Sequence, residues 1–567
     1  MAENGSRKNS FIVQAGILAA AGIISRLIGL LYRGPLHSVI GDLGLGYYQS
    51  AHNYYTIILL ISSYSIPSAI SKVIAQKLAL REYRNAHRIF KCALWYVLAV
   101  GGAASLLLFF GAGLLNKLEV LSVQEASVLR TFAPTIFVYG IMGVLRGYFQ
   151  AHGSMVQTSV SQILEQIANA VVSVGAACLL IEISLGTMEI PADEAGQVTR
   201  AARGAVGSAM GAGAGVLVAL LFMVAVYLLN RETINKRIGG DKHVGTDSYK
   251  SIIRMIVMVV TPFILSTAVY NLSGTINNTV YTQWFPALRE LDEVAVYTRW
   301  GAFSGQALTL SNIPIAFATA MASAMLPSIA NLTASNDREG AREKIALAVK
   351  TIMLISIPCA VGLFALARPI TGLLFSNTKE TEDLVTKLLM ALALSVVFYA
   401  LSTLNSSILQ GMGKVNTPIV NAGIALIVQT VTAVVLLSFT ELDLYSIAIA
   451  NTLYSAIMCA LNQWTVRKTI GYRQEVMKTF LIPSLASICM GGAAWAVYES
   501  LLMLTSSPKI SVVIAVLVAV VVYFAMLLLF RGITEEELRS FPKGYLLVRI
   551  AKRCRLMKYT ADRQDLQ

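Results

Sequence analysis

Fourteen apolar runs, each bounded by polar residues, divide the chain. They cover roughly residues 11–32, 48–75, 92–115, 131–150, 157–182, 204–229, 251–280, 297–330, 346–375, 384–409, 417–438, 444–464, 479–500 and 510–530. A helix needs about 20 such residues to cross the hydrocarbon core of a bilayer. The runs at 251–280 and 297–330 exceed that length and are expected to tilt or to extend beyond the membrane. Arg7 and Lys8 precede Phe11–Ile24 as in a signal peptide, but Arg26 follows where a small-residue cleavage site would stand. That run therefore reads as a retained helix. The pattern predicts an all-α polytopic membrane protein.

Composition agrees. Of 567 residues, 56% are hydrophobic and 13% charged, with mean hydropathy +0.65. An ordinary soluble domain carries about 25% charged residues. The six cysteines form no CxxC and the five histidines no HExxH, so no metal is expected. No Walker-type phosphate loop is present, which excludes ATP hydrolysis by that device, and no cofactor is implied.

The net charge of +14 reads as orientation, with no need for nucleic acid. Basic clusters fall at Lys72–Lys91, Arg231–Arg254, Arg338–Lys350, Arg467–Lys478 and the tail from Arg531. Acidic stretches occupy the alternate connections, at Glu182–Glu194, Glu290–Glu293 and Glu380–Asp383. This bias predicts both termini inside, which requires an even number of spans. The tail, with Arg549, Lys552, Arg553, Arg555 and Lys558 among apolar residues, reads as a helix on anionic lipid.

Two short signatures recur 260 positions apart. Ile66-Pro67-Ser68 returns as Leu326-Pro327-Ser328, and Gln150-Ala151-His152-Gly153 as Gln410-Gly411-Met412-Gly413. Matches at one offset and at equivalent topological positions imply a parallel six-helix repeat, with a substrate path between the lobes. The expected organisation is a lobe at 1–230, a second at 231–470, two extra spans at 471–530 and a basic cytoplasmic tail at 531–567.

Few polar residues lie inside the runs. Arg26 sits about 22 Å along the first helix, and Arg33 follows two turns later on the same face. A charge so placed is a functional candidate by default. A guanidinium pair facing a cavity suits pyrophosphate, which it grips bidentately. Glu165 shares a face with Gln162, Gln166 and Asn169. It reads as a proton site, a sodium ligand or an inter-helix hydrogen-bonding group, with Arg146 as a partner. Arg299, Gln306, Asn312, Asn53, Tyr54, Tyr55, Asn271, Asn277 and Asn278 are further cavity candidates. Arg33 and Arg299 also suit interfacial anchoring. Gly207, Gly211 and Gly215 predict close helix packing.

Several stretches resemble the stage V sporulation protein B group. They are Ser25–Leu36, Gly44–Gln49, Ile66–Lys72, Arg146–Gln150 and Ser161–Gln166. That group belongs to the polysaccharide-exporter branch of the multidrug/oligosaccharidyl-lipid/polysaccharide superfamily, beside the MurJ lipid II flippases. The resemblance implies a fourteen-helix, two-lobe, MATE- and MurJ-like transporter in the bacterial cytoplasmic membrane. It implies flipping of a lipid-linked sugar by alternating access, coupled to Na+, H+ or the membrane potential. Arg26 and Arg33 match the first-helix arginines of that family, with a spacing of seven where the Gram-negative type has six. Thr56–Ser65 holds no basic residue where that type has one.

The substrate reading is a polyprenyl-pyrophosphate sugar, lipid II or a related polysaccharide unit, handled by a monomer among membrane lipids and cell-wall synthesis enzymes. A cation-coupled drug antiporter of the same superfamily is the alternative, although the arginines would repel a cationic substrate. A membrane glycosyltransferase or polymerase is a third reading, and an enzyme is not expected. It would want paired carboxylates or a sizeable outer loop, and no loop exceeds about 20 residues.

Overall fold

The computed structural model describes residues 17–18, 20–64, 66–118, 120–187, 194–241, 247–533, 545 and 549. Every regular element among them is helical. Helix α1 (Ala20–Leu31) passes through Tyr32 into α2 (Arg33–Leu59). The connection expected between the first two runs is thus itself helical, broken only at Gly41, whose φ of 67° no ordinary helix accepts. A π-turn at Leu60–Tyr64 precedes α3 (Ile66–Ala79). Then come α4 (Tyr83–Lys117), α5 (Val123–Ala151), α6 (Val156–Thr187), α7 (Glu194–Leu229), the short α8 (Arg231–Gly239) and α9 (Tyr249–Thr279). A second π-turn at Val280–Trp284, α10 (Phe285–Arg289), α11 (Glu293–Trp300) and a seven-residue π-segment at Gly301–Ala307 lead to α12 (Leu308–Ala334). The rest are α13 (Arg338–Ala365), α14 (Ala367–Leu374), α15 (Lys379–Gly411), α16 (Asn416–Phe439), α17 (Leu444–Ile470), a further π-turn at Met477–Leu481, α18 (Ile482–Thr505) and α19 (Pro508–Leu529).

Twelve helices among the described residues are long and apolar enough to cross a membrane. The predicted run at 11–32 corresponds to α1 and that at 251–280 to α9; the rest of the first run, residues 11–16 and 19, lies outside the described residues. So do Arg7, Lys8, residues 188–193 of the acidic connection, and the tail beyond Ile533 apart from Tyr545 and Arg549. Helix α5 starts eight residues before the predicted run at 131–150. A capping box between Ser122 and Glu125 starts it, and the polar residues of that first turn hide it from hydropathy.

The described residues form two compact units. One holds those up to Leu310 with Leu374–Ser376 and Ile419–Tyr454; the other holds Ser311–Leu373, Asn377–Pro418 and those from Ser455 onward. In the first, Ile70, Val73, Ile89, Val144 and Tyr148 share a buried cluster. In the second, Ile345, Val349, Ile352, Leu404 and Ile408 do the same. The residues 260 apart occupy like places: Ile89 and Val349, Val144 and Leu404, Tyr148 and Ile408.

The turns that follow α5 and α15 repeat the same bonds. Gly153 N–H donates to Gln150 O at 2.9 Å and Ser154 N–H to Phe149 O at 3.1 Å. Gly413 N–H donates to Gln410 O at 3.0 Å and Lys414 N–H to Leu409 O at 2.9 Å. Both glycines are left-handed, with φ of 78° and 80°.

The small-residue stripe of α7 packs as expected. A Cβ on Gly207 would strike Ala176 and Ala177, and one on Gly215 the carbonyl of Glu165. The stripe therefore brings α7 against the polar face of α6.

Candidate functional site

The arginine stripe starts on α1. Arg26 is exposed and makes no hydrogen bond or ion pair among the described residues. Gly29, one turn on, fronts Gln166 of α6, whose Oε1 would lie 3.5 Å from an added Cβ. Arg33 is half-buried. Its guanidinium donates to Gly305 O at 3.3 Å and to the Thr309 hydroxyl. A π-segment offsets its carbonyls from the helical ladder, which leaves Gly305 O able to accept from outside the helix.

Beside it lies a cluster that the sequence does not announce. His37 Nε2 and Asp42 Oδ1 are 3.0 Å apart, and Gln306 Nε2 donates to the same Asp42 oxygen at 2.5 Å. The Gly41 break turns the chain so that two side chains five positions apart meet. A further close approach fixes α2 against the next element. A Cβ on Gly46 would strike the Tyr297 carbonyl, and one on Gly301 the Asp42 carbonyl, so only glycine permits this backbone contact.

Arg146 and Glu165 form an ion pair at 2.8 Å, and Arg146 Nε donates to Ser161 Oγ at 2.8 Å. The partner suggested by the sequence is therefore in place. Asn169 accepts from Ser173 Oγ at 2.9 Å. Arg299 is half exposed and pairs with Asp443, which also accepts from Tyr281 OH at 2.7 Å. Tyr54 OH lies 2.9 Å from Thr279 Oγ1, and Asn53 O accepts from Thr275 Oγ1 at 3.3 Å. Asn277 accepts from Gln429 Nε2 at 2.7 Å. Asn312 is exposed and belongs to the other compact unit.

The sequence singles out Glu165 as a candidate acid within a span. The structure adds Glu125, which is fully buried near the start of α5. Its carboxylate accepts from Ser50 Oγ, from Tyr297 OH at 2.5 Å, from Gln283 Nε2 at 3.3 Å and from Ser122 N at 3.3 Å. The only signal available in the sequence was the capping box, which explains the Ser122 contact and nothing else.

The fold is shared with known proteins. The family model for the lipid II flippase MurJ matches residues 86–517. The lipid II flippase MurJ of Bacillus subtilis (strain 168) is 25% identical over 492 residues, covering 83% of this chain and 86% of that protein. Stage V sporulation protein B of the same organism is 24% identical over 549 residues, covering 96% of this chain and 100% of that protein. A solved structure of the lipid II flippase MurJ in an inward closed conformation superposes with a TM-score of 0.62 at 15% identity, over 91% of this chain and 98% of that one. An inward-facing multidrug resistance MATE family transporter of the MOP superfamily gives 0.58 at 16% identity, over 81% of this chain and 98% of that one. With the match spanning more than half its length, the chain belongs to the MurJ family and is a multi-pass membrane transporter.

Proposed function

We propose that this transporter moves a polyprenyl-pyrophosphate-linked sugar, lipid II or a related polysaccharide unit, from the inner to the outer leaflet by alternating access. The observation that carries the reading is Arg26: an exposed guanidinium on an apolar helix, with no partner among the described residues. A cation placed within a membrane span demands an anion, and a pyrophosphate answers both its charge and its planar fork. The relative named lipid II flippase MurJ fits a lipid-linked substrate.

In this reading the chain spans the bacterial cytoplasmic membrane fourteen times with both ends inside. Lobes at 1–230 and 231–470 flank the path, the spans at 471–530 are additional, and the basic tail lies on the inner surface. Arg33, Arg299, Asn53, Tyr54 and Asn312 assist substrate passage, while Arg146, Glu165 and Asn169 serve coupling. A drug antiporter shares the fold, but an uncompensated Arg26 would repel its cationic cargo.

The test is flipping in proteoliposomes of the full-length protein loaded with lipid II or another polyprenyl-pyrophosphate sugar. Transport by the wild type and its loss in Arg26→Ala, with both proteins inserted equally, is the expected result. Unimpaired flipping by Arg26→Ala would remove the arginine from the substrate path. Depletion in the native host, followed by identification of the precursor that accumulates, would name the sugar.

A further inference from the structure

Glu125 stands at a junction of four elements. Ser50 comes from α2, Glu125 from α5, Asn278 and Gln283 from the end of α9 and its π-turn, and Tyr297 from α11. Ser50, Glu125 and Asn278 have no exposed surface, and Tyr297 retains 1%. None of the four groups bonded to the carboxylate is a cation. Lys117 of α4, Arg130 of α5 and Arg200 and Arg203 of α7 are exposed, and none bonds Glu125. The titratable groups around it are Tyr47 and Tyr54 of α2, Glu293 and Tyr297 of α11, and Asp292 at the α11 cap. The surroundings are thus neutral or acidic. A fully buried carboxylate without a cation is costly, and uptake of one proton relieves that cost.

The second observation is Asn278. Its Nδ2 donates to Ser50 Oγ at 2.7 Å, and Ser50 Oγ donates to Glu125. Its Oδ1 is buried with no hydrogen-bond partner. The carboxamide is nearly symmetric, so the chain can run either way. With Glu125 ionised, hydrogen bonds run from Asn278 through Ser50 to the carboxylate and leave Oδ1 orphaned. With Glu125 protonated and the carboxamide turned over, its O–H donates to Ser50 Oγ and the Ser50 hydroxyl donates to Asn278 Oδ1; the unpartnered place passes to the amide nitrogen, so the chain accommodates either protonation state at the same count of hydrogen bonds.

We propose that Glu125 is a proton-binding site that loads as α2 and α5 close on the α9 end and α11, and unloads when they part. One proton enters from solvent and adds to a carboxylate oxygen; Ser50 and Asn278 reverse their hydrogen bonds, and no other bond changes. In the proposed orientation this junction is the outer gate, so the inference rests on the alternating-access reading. Acidification then favours the closed gate, and opening releases the proton to the outside.

The test needs no lipid substrate. Spin labels at Val123 and Leu288, both exposed, are placed by Val123→Cys and Leu288→Cys on a cysteine-free background of the full chain in liposomes. Pulsed distance measurements then follow the closed-to-open ratio against external pH. One linked proton predicts a ratio that rises on acidification, by up to about tenfold per pH unit. Glu125→Gln keeps the gate closed with a flat profile. Tyr297→Phe removes a donor to the ionised carboxylate and moves the midpoint about one unit higher. A flat wild-type profile, a pH slope retained by Glu125→Gln, or an unmoved midpoint in Tyr297→Phe would each overturn the site. Failure here leaves the lipid substrate reading intact, and failure of lipid flipping leaves this titration intact.

Discussion

Arg146 and Glu165 neutralise one another across α5 and α6, with Nη2 and Oε2 2.8 Å apart and side chains 6% and 16% exposed. A buried pair adds little to stability over apolar packing, but breaking it strands one charge. Glu165→Ala and Arg146→Ala are each expected to destabilise the protein by about 3 kcal/mol. The double variant should lose less than the sum, because neither charge is then left alone. Thermal unfolding in detergent measures this cycle, and additive losses would show that the pair is not coupled. The coupling role is tested separately by the pH and sodium dependence of Glu165→Gln, and a profile identical to wild type would make the pair purely structural.

The all-helical, membrane-crossing character and the two like turns were legible because hydrophobic length and local turn chemistry are properties of contiguous residues. Gly153 and Gly413 could be paired from the sequence for that reason, and so could Arg146 with Glu165. The junctions were not legible. Asp42 reads as an isolated acid in a connection, since its partner Gln306 lies 264 positions away and His37 reaches it only across the Gly41 break. Glu125 reads as a cap for the same reason: Ser50, Gln283 and Tyr297 come from other helices. The π-segment at Gly301–Ala307 has no hydropathy signature, yet it presents the carbonyl that holds Arg33.

Arg26 and Arg33 should separate by phenotype although they share a face. Arg26 has no partner among the described residues, so Arg26→Ala should abolish flipping without loss of stability. Arg33 is tied to Gly305 and Thr309. Arg33→Ala and Thr309→Val should both lower thermal stability, by about 1–2 kcal/mol for a lost hydrogen bond to a charged group. Measured together, unfolding and flipping decide the assignment. A destabilised Arg26→Ala would place that side chain in the fold's own contacts.

Gly46 is expected to be a control point for the contact between α2 and α11. Any Cβ there strikes the Tyr297 carbonyl, and backbone cannot yield as a flexible side chain does. Gly46→Val should therefore part α2 from α11 and hold the Glu125 junction open. The spin-label pair across that junction should report the long distance at every pH, and flipping should stop. A closed population equal to wild type would show that the helices can shift to accept the side chain.

The turn glycines test whether the repeat is one structural device used twice. Gly153 and Gly413 share a left-handed φ, and an added Cβ at either meets nothing within 4 Å. Space is therefore not what excludes a side chain; only backbone conformation is. Alanine in the left-handed region costs about 1 kcal/mol, so Gly153→Ala and Gly413→Ala should each lose about that amount. Asparagine tolerates this conformation better, so Gly153→Asn and Gly413→Asn should lose less. Unfolding of the four variants checks the order. A large loss at one site and none at the other would mean that the matching bonds in the two turns carry different loads. Equal, small losses rescued by asparagine are what two copies of one turn require.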